Sequence, residues 1–206
     1  REKMHQLDNE AEAKYDHSYL NRLIKAGSLS RTAKRFTTYR FFIKNGCASC
    51  LDFGCGDLSF ARFFLSRCGG RGRIDVLDIN PDIEPMANEL GLNFFSDLSE
   101  INTKYELIVA DNVLEHTKNW REHFARLVDC LSDEGELIIG LPSMKGYAYD
   151  GTHVTFITDF DIQRSAMNCG CVLRERYFYP FNNRLFAKVF GLYSRHVLFY
   201  YRVCRK

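Results

Sequence analysis

Chemistry is concentrated in four short runs, each of which leads an apolar stretch into an acid. Asp52 precedes Gly54 and Gly56 in "SCLDFGCGDLSF"; Asp78 and Ile79 close "RIDVLDIN"; Asp97 and Leu98 lie in "FFSDLSE"; Asp111, Asn112 and Val113 open the end of "LIVADNVLEH". Glycines two residues apart permit backbone conformations and close approaches that a side chain would forbid. A carboxylate inside an apolar run, as Asp52 is, needs a partner. Asp78 follows Gly54 at roughly the 20-residue spacing at which a carboxylate can accept from both hydroxyls of a ribose. Asp97 can accept from an exocyclic adenine amine while a neighbouring backbone N–H serves a ring nitrogen. The four runs in this order describe a site for a nucleoside cofactor laid across strand ends; strand-end capping and turn formation are the alternative use of each acid taken singly.

Two histidines lie where a proton could be moved. His116 ends the fourth run, and His153 sits in "GTHVTFIT". A histidine near an acceptor hydroxyl is suited to remove its proton, and both are candidate bases; each could instead brace its loop. Tyr147 and Tyr149 in "SMKGYAYDGTH" are candidates for an acceptor wall, and Tyr15 and Tyr19 in "AKYDHSY" for contacts from a lid.

The elements that must position these groups alternate. Strand-like runs occur at 49–53, 73–78, 93–95, 105–110 and 136–141, with helix-like segments at about 57–68, 81–90 and 119–131, the last ended by Asp133-Glu134-Gly135. Strands alternating with helices predict βαβ units and a parallel sheet. Helices are expected over residues 5 to 45. A helix over 158–168 is capped by Thr158, and strands are expected at 171–179 and 196–203. Between those strands, "FNNRLFAKVFGLYSR" reads as a short amphipathic helical insertion.

The chain has 206 residues, 46% hydrophobic and 26% charged, with a net charge of +2. That length suits one domain, and so small a charge gives no footprint for nucleic acid. Arg174, Arg176, Arg184, Lys188, Arg195, Arg202, Arg205 and Lys206 make the C-terminal segment basic and aromatic, a solvated face or a peripheral membrane contact. The 8 cysteines are unevenly spaced, and neither Cys47-x-x-Cys50 nor Cys169-x-Cys171 belongs to the paired pattern of a structural zinc. They read as buried thiols in a reducing, cytoplasmic setting, and no run is long enough to predict a membrane span.

From about residue 47 to 179 the sequence resembles a class I S-adenosylmethionine-dependent methyltransferase. "LDFGCG" is similar to that family's first motif, "VLDIN" to its ribose-binding acid, "SDL" to its adenine contact, "YELIVADNVLEH" to its fourth motif, and "GELIIGLP" with "GTHVTFITDFDIQRSAMNCGC" to the segment that follows. The resemblance implies a Rossmann-like, doubly wound, mostly parallel seven-stranded sheet with a late antiparallel strand and N-terminal helices. Residues 1–46 would form a helical lid or extension, and 47–206 the cofactor-binding domain. The cofactor would be S-adenosyl-L-methionine, leaving as S-adenosyl-L-homocysteine. Asp52, Gly54 and Gly56 would line its methionine end, Asp78 and Ile79 the ribose, Asp97 and Leu98 the adenine, and Asn112 and Val113 the sulfonium and donor methyl.

An acid-rich pocket suits a cationic sulfonium, whereas a nicotinamide dehydrogenase would want a helix-end glycine where Ser59 stands. Leu58 replaces the family's usual third glycine, so it is expected to crowd the cofactor or shift the turn. Some relatives bind a divalent cation through E-x-x-E-H; Glu115 and His116 match, but Asn112 replaces a carboxylate, so no metal is expected. The expected activity is methylation of a small-molecule acceptor, at oxygen, in a glycan, lipid-linked or secondary-metabolite pathway. The alternatives are an N- or protein methyltransferase, or a silent cofactor-binding module; a homodimer is compatible with the sequence.

Overall fold

The computed structural model describes residues 48–69, 71–148, 150–179 and 196–203, together with Ile43, Asn183 and Leu185. The expected N-terminal helices and the 181–195 insertion fall outside these residues apart from those three positions, and so do Tyr15, Tyr19 and Tyr149. Strands β1 (Ser49–Phe53), β2 (Arg73–Leu77), β3 (Asn93–Phe95), β4 (Tyr105–Asp111) and β5 (Leu131–Pro142) are mutually parallel. β6 (Cys171–Tyr179) and β7 (His196–Val203) complete the order β3-β2-β1-β4-β5-β7-β6, with β7 antiparallel to both its neighbours.

Alternate residues of the strands feed two cores. Leu51, Phe53, Ile108 and Ala110 face α3 (Trp120–Asp129) and α5 (Asp159–Asn168), where Trp120, Phe124, Leu127 and Ile162 are buried. Cys50, Ile74, Val76, Leu107 and Val109 face α1 (Ser59–Cys68) and α2 (Glu84–Glu89), against Phe60, Phe64 and Ala87. Burying a side chain such as Phe64 or Phe124 contributes about 1.5–3 kcal/mol, which is what holds these short helices to the sheet. Local signals set their ends. Thr158 accepts from the Asp161 N–H in a capping box at the start of α5, and Gly69, in the left-handed conformation, ends α1.

Two expectations need correction. β5 starts at Leu131, five residues early, because Leu131 pairs with Tyr105 before the register shifts to Leu107 and Glu136. The Asp133-Glu134-Gly135 turn signal is spent inside the strand as an irregularity with Glu134 at φ 63°. Leu58 neither crowds the cleft nor breaks the turn. It adopts φ 58°, as a glycine would, and its side chain is wholly buried in the α1–α2 core. The left-handed backbone costs about 1–2 kcal/mol, an amount that full burial of a leucine offsets.

Candidate functional site

The order of β2, β1 and β4 reverses the direction of winding between β1 and β4, and the carboxyl ends at such a point form a crevice suited to ligands. All four sequence runs end there. At the end of β1 the backbone N–H groups of Gly54 and Cys55 both donate to the Leu77 carbonyl, at 2.8 and 3.1 Å, binding the glycine turn to β2. Gly54 has φ 75°, and a Cβ at this position would lie 2.3 Å from Val113 Cγ2. Its lack of a side chain therefore makes room first for the loop after β4. Gly56, at φ 51°, donates its N–H to Asp78 Oδ2 at 2.9 Å.

The acids differ in their surroundings. Asp52 is buried at 4% exposure, and its Oδ2 has no hydrogen-bond partner. Burial, then the charges of Asp78, Asp111 and Asp57, push its carboxyl well above the usual carboxylate range. Asp78 is also raised by burial, against the N–H groups of Asn80 and Gly56 that favour its charged form. The adjacent Ile79 is 45% exposed. This corner is a desolvated nest of carboxylates facing a crevice, which favours a ligand bearing positive charge.

Asp97 is placed differently. It caps the turn Leu98–Glu100, accepting from the Ser99 N–H at 2.7 Å, and the hydrogen bonds from Ser99 hold its carboxyl below the usual range. Its local capping role is thus real, and lone-pair capacity remains for a second donor. Leu98 turns into the core rather than the crevice.

The loop after β4 and the segment before α5 meet. Asn112 takes φ 60°, donates its backbone N–H to the Gly140 carbonyl at 3.0 Å, and has a buried Oδ1 without a partner. Val154 and Thr155 donate their N–H groups to the Glu115 carbonyl at 2.9 and 3.0 Å. That seam brings His116 and His153 within 4.8 Å, ring centre to ring centre. His153 Nδ1 lies 2.9 Å from the Tyr147 carbonyl, and Tyr147 stacks on the His153 ring at 5.1 Å. His116 Nδ1 faces the Thr152 carbonyl and hydroxyl at 3.3 and 3.2 Å. Burial, then the neighbouring His153, lowers the His116 pKa.

The structure therefore joins His116, His153 and Tyr147 in one cluster and places the loop of Asn112 and Val113 against the glycine turn. Sequence reasoning weighs Glu115 only as part of a cation motif, sets that motif aside because of Asn112, and does not count Glu115 among the site residues. It is 0% exposed and its Oε1 lies 3.8 Å from His153 Nε2. The available signal is its place beside His116 in that partial motif, since its contact with His153 is made across the fold.

A family model described as a methyltransferase domain matches residues 19–176. Among solved structures, a plantazolicin methyltransferase, BpumL, crystallised with a pentazolic desmethylPZN analog and SAH, is 16% identical, with a TM-score of 0.69, over 99% of both chains. An S-adenosylmethionine-dependent methyltransferase from Clostridium acetobutylicum ATCC 824 is 13% identical, with a TM-score of 0.66, over 94% of this chain and 99% of that one. The N-methyltransferase NodS from Bradyrhizobium japonicum WM9 is 16% identical, with a TM-score of 0.60, over 93% and 99%. No curated protein matches the sequence.

Proposed function

The chain belongs to the S-adenosylmethionine-dependent methyltransferases of the class I fold, and on that premise we propose that it methylates a small-molecule acceptor at oxygen. The crevice fits this cofactor on its own chemistry. The unpartnered Oδ2 of Asp52, inside a nest of carboxylates, calls for a cationic ligand, and the cofactor carries both a sulfonium and an ammonium. Asp52, Gly54 and Gly56 would hold its methionine end, Asp78 the ribose hydroxyls with Ile79 beside them, and Asp97 with the Leu98 backbone the adenine. Asn112 and Val113 would lie under the reacting carbon. When bound, the cofactor supplies an electrophilic methyl group.

One observation carries the oxygen assignment: the pairing of His116 and His153 beside Tyr147, three residues along the chain from Val113. A hydroxyl acceptor must lose a proton, and a pair of largely buried imidazoles is suited to dispose of it. The remaining contribution is positioning of the acceptor oxygen in line with the methyl group. A neutral amine would need less help, which is the argument for oxygen over nitrogen, although NodS is named as an N-methyltransferase. BpumL is named for a natural product, in keeping with a secondary-metabolite, glycan or lipid-linked acceptor here. Residues 1–46, with Tyr15 and Tyr19, are assigned to a cover over the cofactor, and Tyr147 with Tyr149 to the acceptor side. Among the described residues no helix is long and apolar enough to cross a membrane; a cytoplasmic setting follows the cysteine reading.

The test begins with calorimetric titration of S-adenosylmethionine, S-adenosylhomocysteine and NAD. Binding of the first two alone is expected, and Asp78→Ala should weaken it by at least ~10-fold, the value of one charge-assisted hydrogen bond. His116→Ala and His153→Ala should keep cofactor affinity and lose turnover on a hydroxylated acceptor. Full activity in both would overturn the oxygen assignment.

A further inference from the structure

We propose that Glu115, His116 and His153 bind a divalent transition-metal ion on the acceptor side of the crevice, through one carboxylate oxygen and two imidazole nitrogens. The ligand atoms they offer all lie within 4.8 Å of one another, and Glu115 Oε1 and His153 Nε2 are 3.8 Å apart. Two ligands on one zinc-like ion, at about 2.0–2.1 Å each, can be no more than about 4.2 Å apart. The Glu115–His153 pair already satisfies this, and the other ligand atoms of the group lie close to it.

Hydrogen bonding on the far side of each ring fixes which nitrogen is available. His153 Nδ1 faces the Tyr147 carbonyl, which can only accept, so Nδ1 carries a hydrogen and Nε2 is the nitrogen left to serve as a ligand. His116 Nδ1 faces the Thr152 carbonyl and the Thr152 hydroxyl. That hydroxyl gives its own hydrogen to Asp150 Oδ1 at 2.6 Å, so it too can only accept from the ring. His116 therefore also donates from Nδ1, which makes Nε2 its candidate ligand nitrogen. A backbone carbonyl behind each ring is the arrangement that orients ligating histidines. His153 Nε2 is thus the nitrogen turned toward the wholly buried Glu115 carboxylate, as a shared ion requires.

The donor set selects the ion. Two imidazoles and one carboxylate suit zinc, manganese, iron or cobalt, whereas magnesium and calcium prefer oxygen alone. The substitution of Asn112 for a carboxylate argued against a hard-cation site; His153 supplies a nitrogen in its place and changes the class of ion. Three protein ligands leave a position open for the acceptor oxygen. A hydroxyl held there would lose its proton to water more readily, with the two imidazoles acting as ligands to the ion instead of taking that proton themselves, and its oxygen would bond to the methyl carbon as the carbon–sulfur bond breaks. This role rests on the oxygen-methylation reading; the metal site itself does not.

The test is titration of the chelator-stripped protein with Co2+, followed by visible absorption, and with Zn2+ and Mg2+ by calorimetry. We expect one equivalent of Co2+ or Zn2+, no Mg2+ site, and loss of affinity in His153→Ala and Glu115→Gln beyond the ~10–100-fold typical of a lost supporting contact. Should Glu115→Gln fail to fold, the His116→Ala titration replaces it. No stoichiometric binding by stripped wild-type protein that still binds S-adenosylhomocysteine would overturn the site and point to a proton between Glu115 and His153. Metal binding without methylation of any hydroxylated acceptor would leave the site standing and overturn the oxygen reading instead.

Discussion

Replacing Gly54 by alanine tests the geometry of the crevice most directly, because two separate costs can be worked out. The residue sits at φ 75°, where an L side chain costs about 1–2 kcal/mol. The new methyl group would also meet Val113 Cγ2 at 2.3 Å, Cγ1 at 2.9 Å and Cβ at 3.2 Å. Overpacking of this kind costs typically about 1–3 kcal/mol as the neighbour is forced from its rotamer. Gly54→Ala should therefore lose about 2–5 kcal/mol in urea denaturation. The two terms separate in the double variant. Adding Val113→Ala removes the two γ-carbon collisions but neither the backbone strain nor the approach of Cβ, so the pair should be about 1–3 kcal/mol more stable than the sum of the single variants, a coupling of the size expected for residues in contact. A cost below about 1 kcal/mol, or a double variant no more stable than the sum of the singles, would refute the contact between the two loops.

Asp52→Asn should stabilise the protein while weakening cofactor binding. Because the folded-state pKa of Asp52 is raised, the native state holds its proton more tightly than the unfolded one. The wild type therefore loses stability as pH rises from the ordinary carboxylate range through that raised value. The gap between variant and wild type in thermal denaturation should widen over that window, and a pH-independent gap would contradict it. Tyr105→Phe removes the buried hydroxyl that donates to Asp75 Oδ2 at 2.7 Å, and should cost about 1.5–3 kcal/mol in urea. Arg121→Ala, by contrast, should cost at most about 1 kcal/mol, since its side chain is largely exposed where it pairs with Asp161 and lies over the ring of buried Trp120.

Much of the crevice was legible because a βαβ chain brings each strand end to the same side of the sheet. Asp52, Asp78 and Asn112 could be placed by counting strands, and β1 and β3 fall on the expected residues. Long-range pairing was not legible. Leu131 joins β5 only because Tyr105 lies beside it, and no local pattern announces that. The direction of Leu58 was equally hidden, since sequence shows a missing glycine but not a side chain turned into the core. The same limit applied to the histidines. His116 and His153 are 37 positions apart, and their meeting depends on the two N–H groups that the Glu115 carbonyl receives.

Asp75 lies on the middle of β2, away from the crevice, yet three neighbours converge on it: Tyr105 of β4, Asn93 of β3 and Arg73 of its own strand. β1 runs between β2 and β4, so this carboxylate spans one strand to reach another. Parallel strands have no hairpin turn to dictate how they align, and side chains must do so. Sliding β2 by a single position would move Asp78 about 3.3 Å along the sheet and turn it to the opposite face. The polar tie around Asp75 thus serves as a ruler for the carboxyl end of β2, setting from within the sheet where Asp78 stands relative to Gly56.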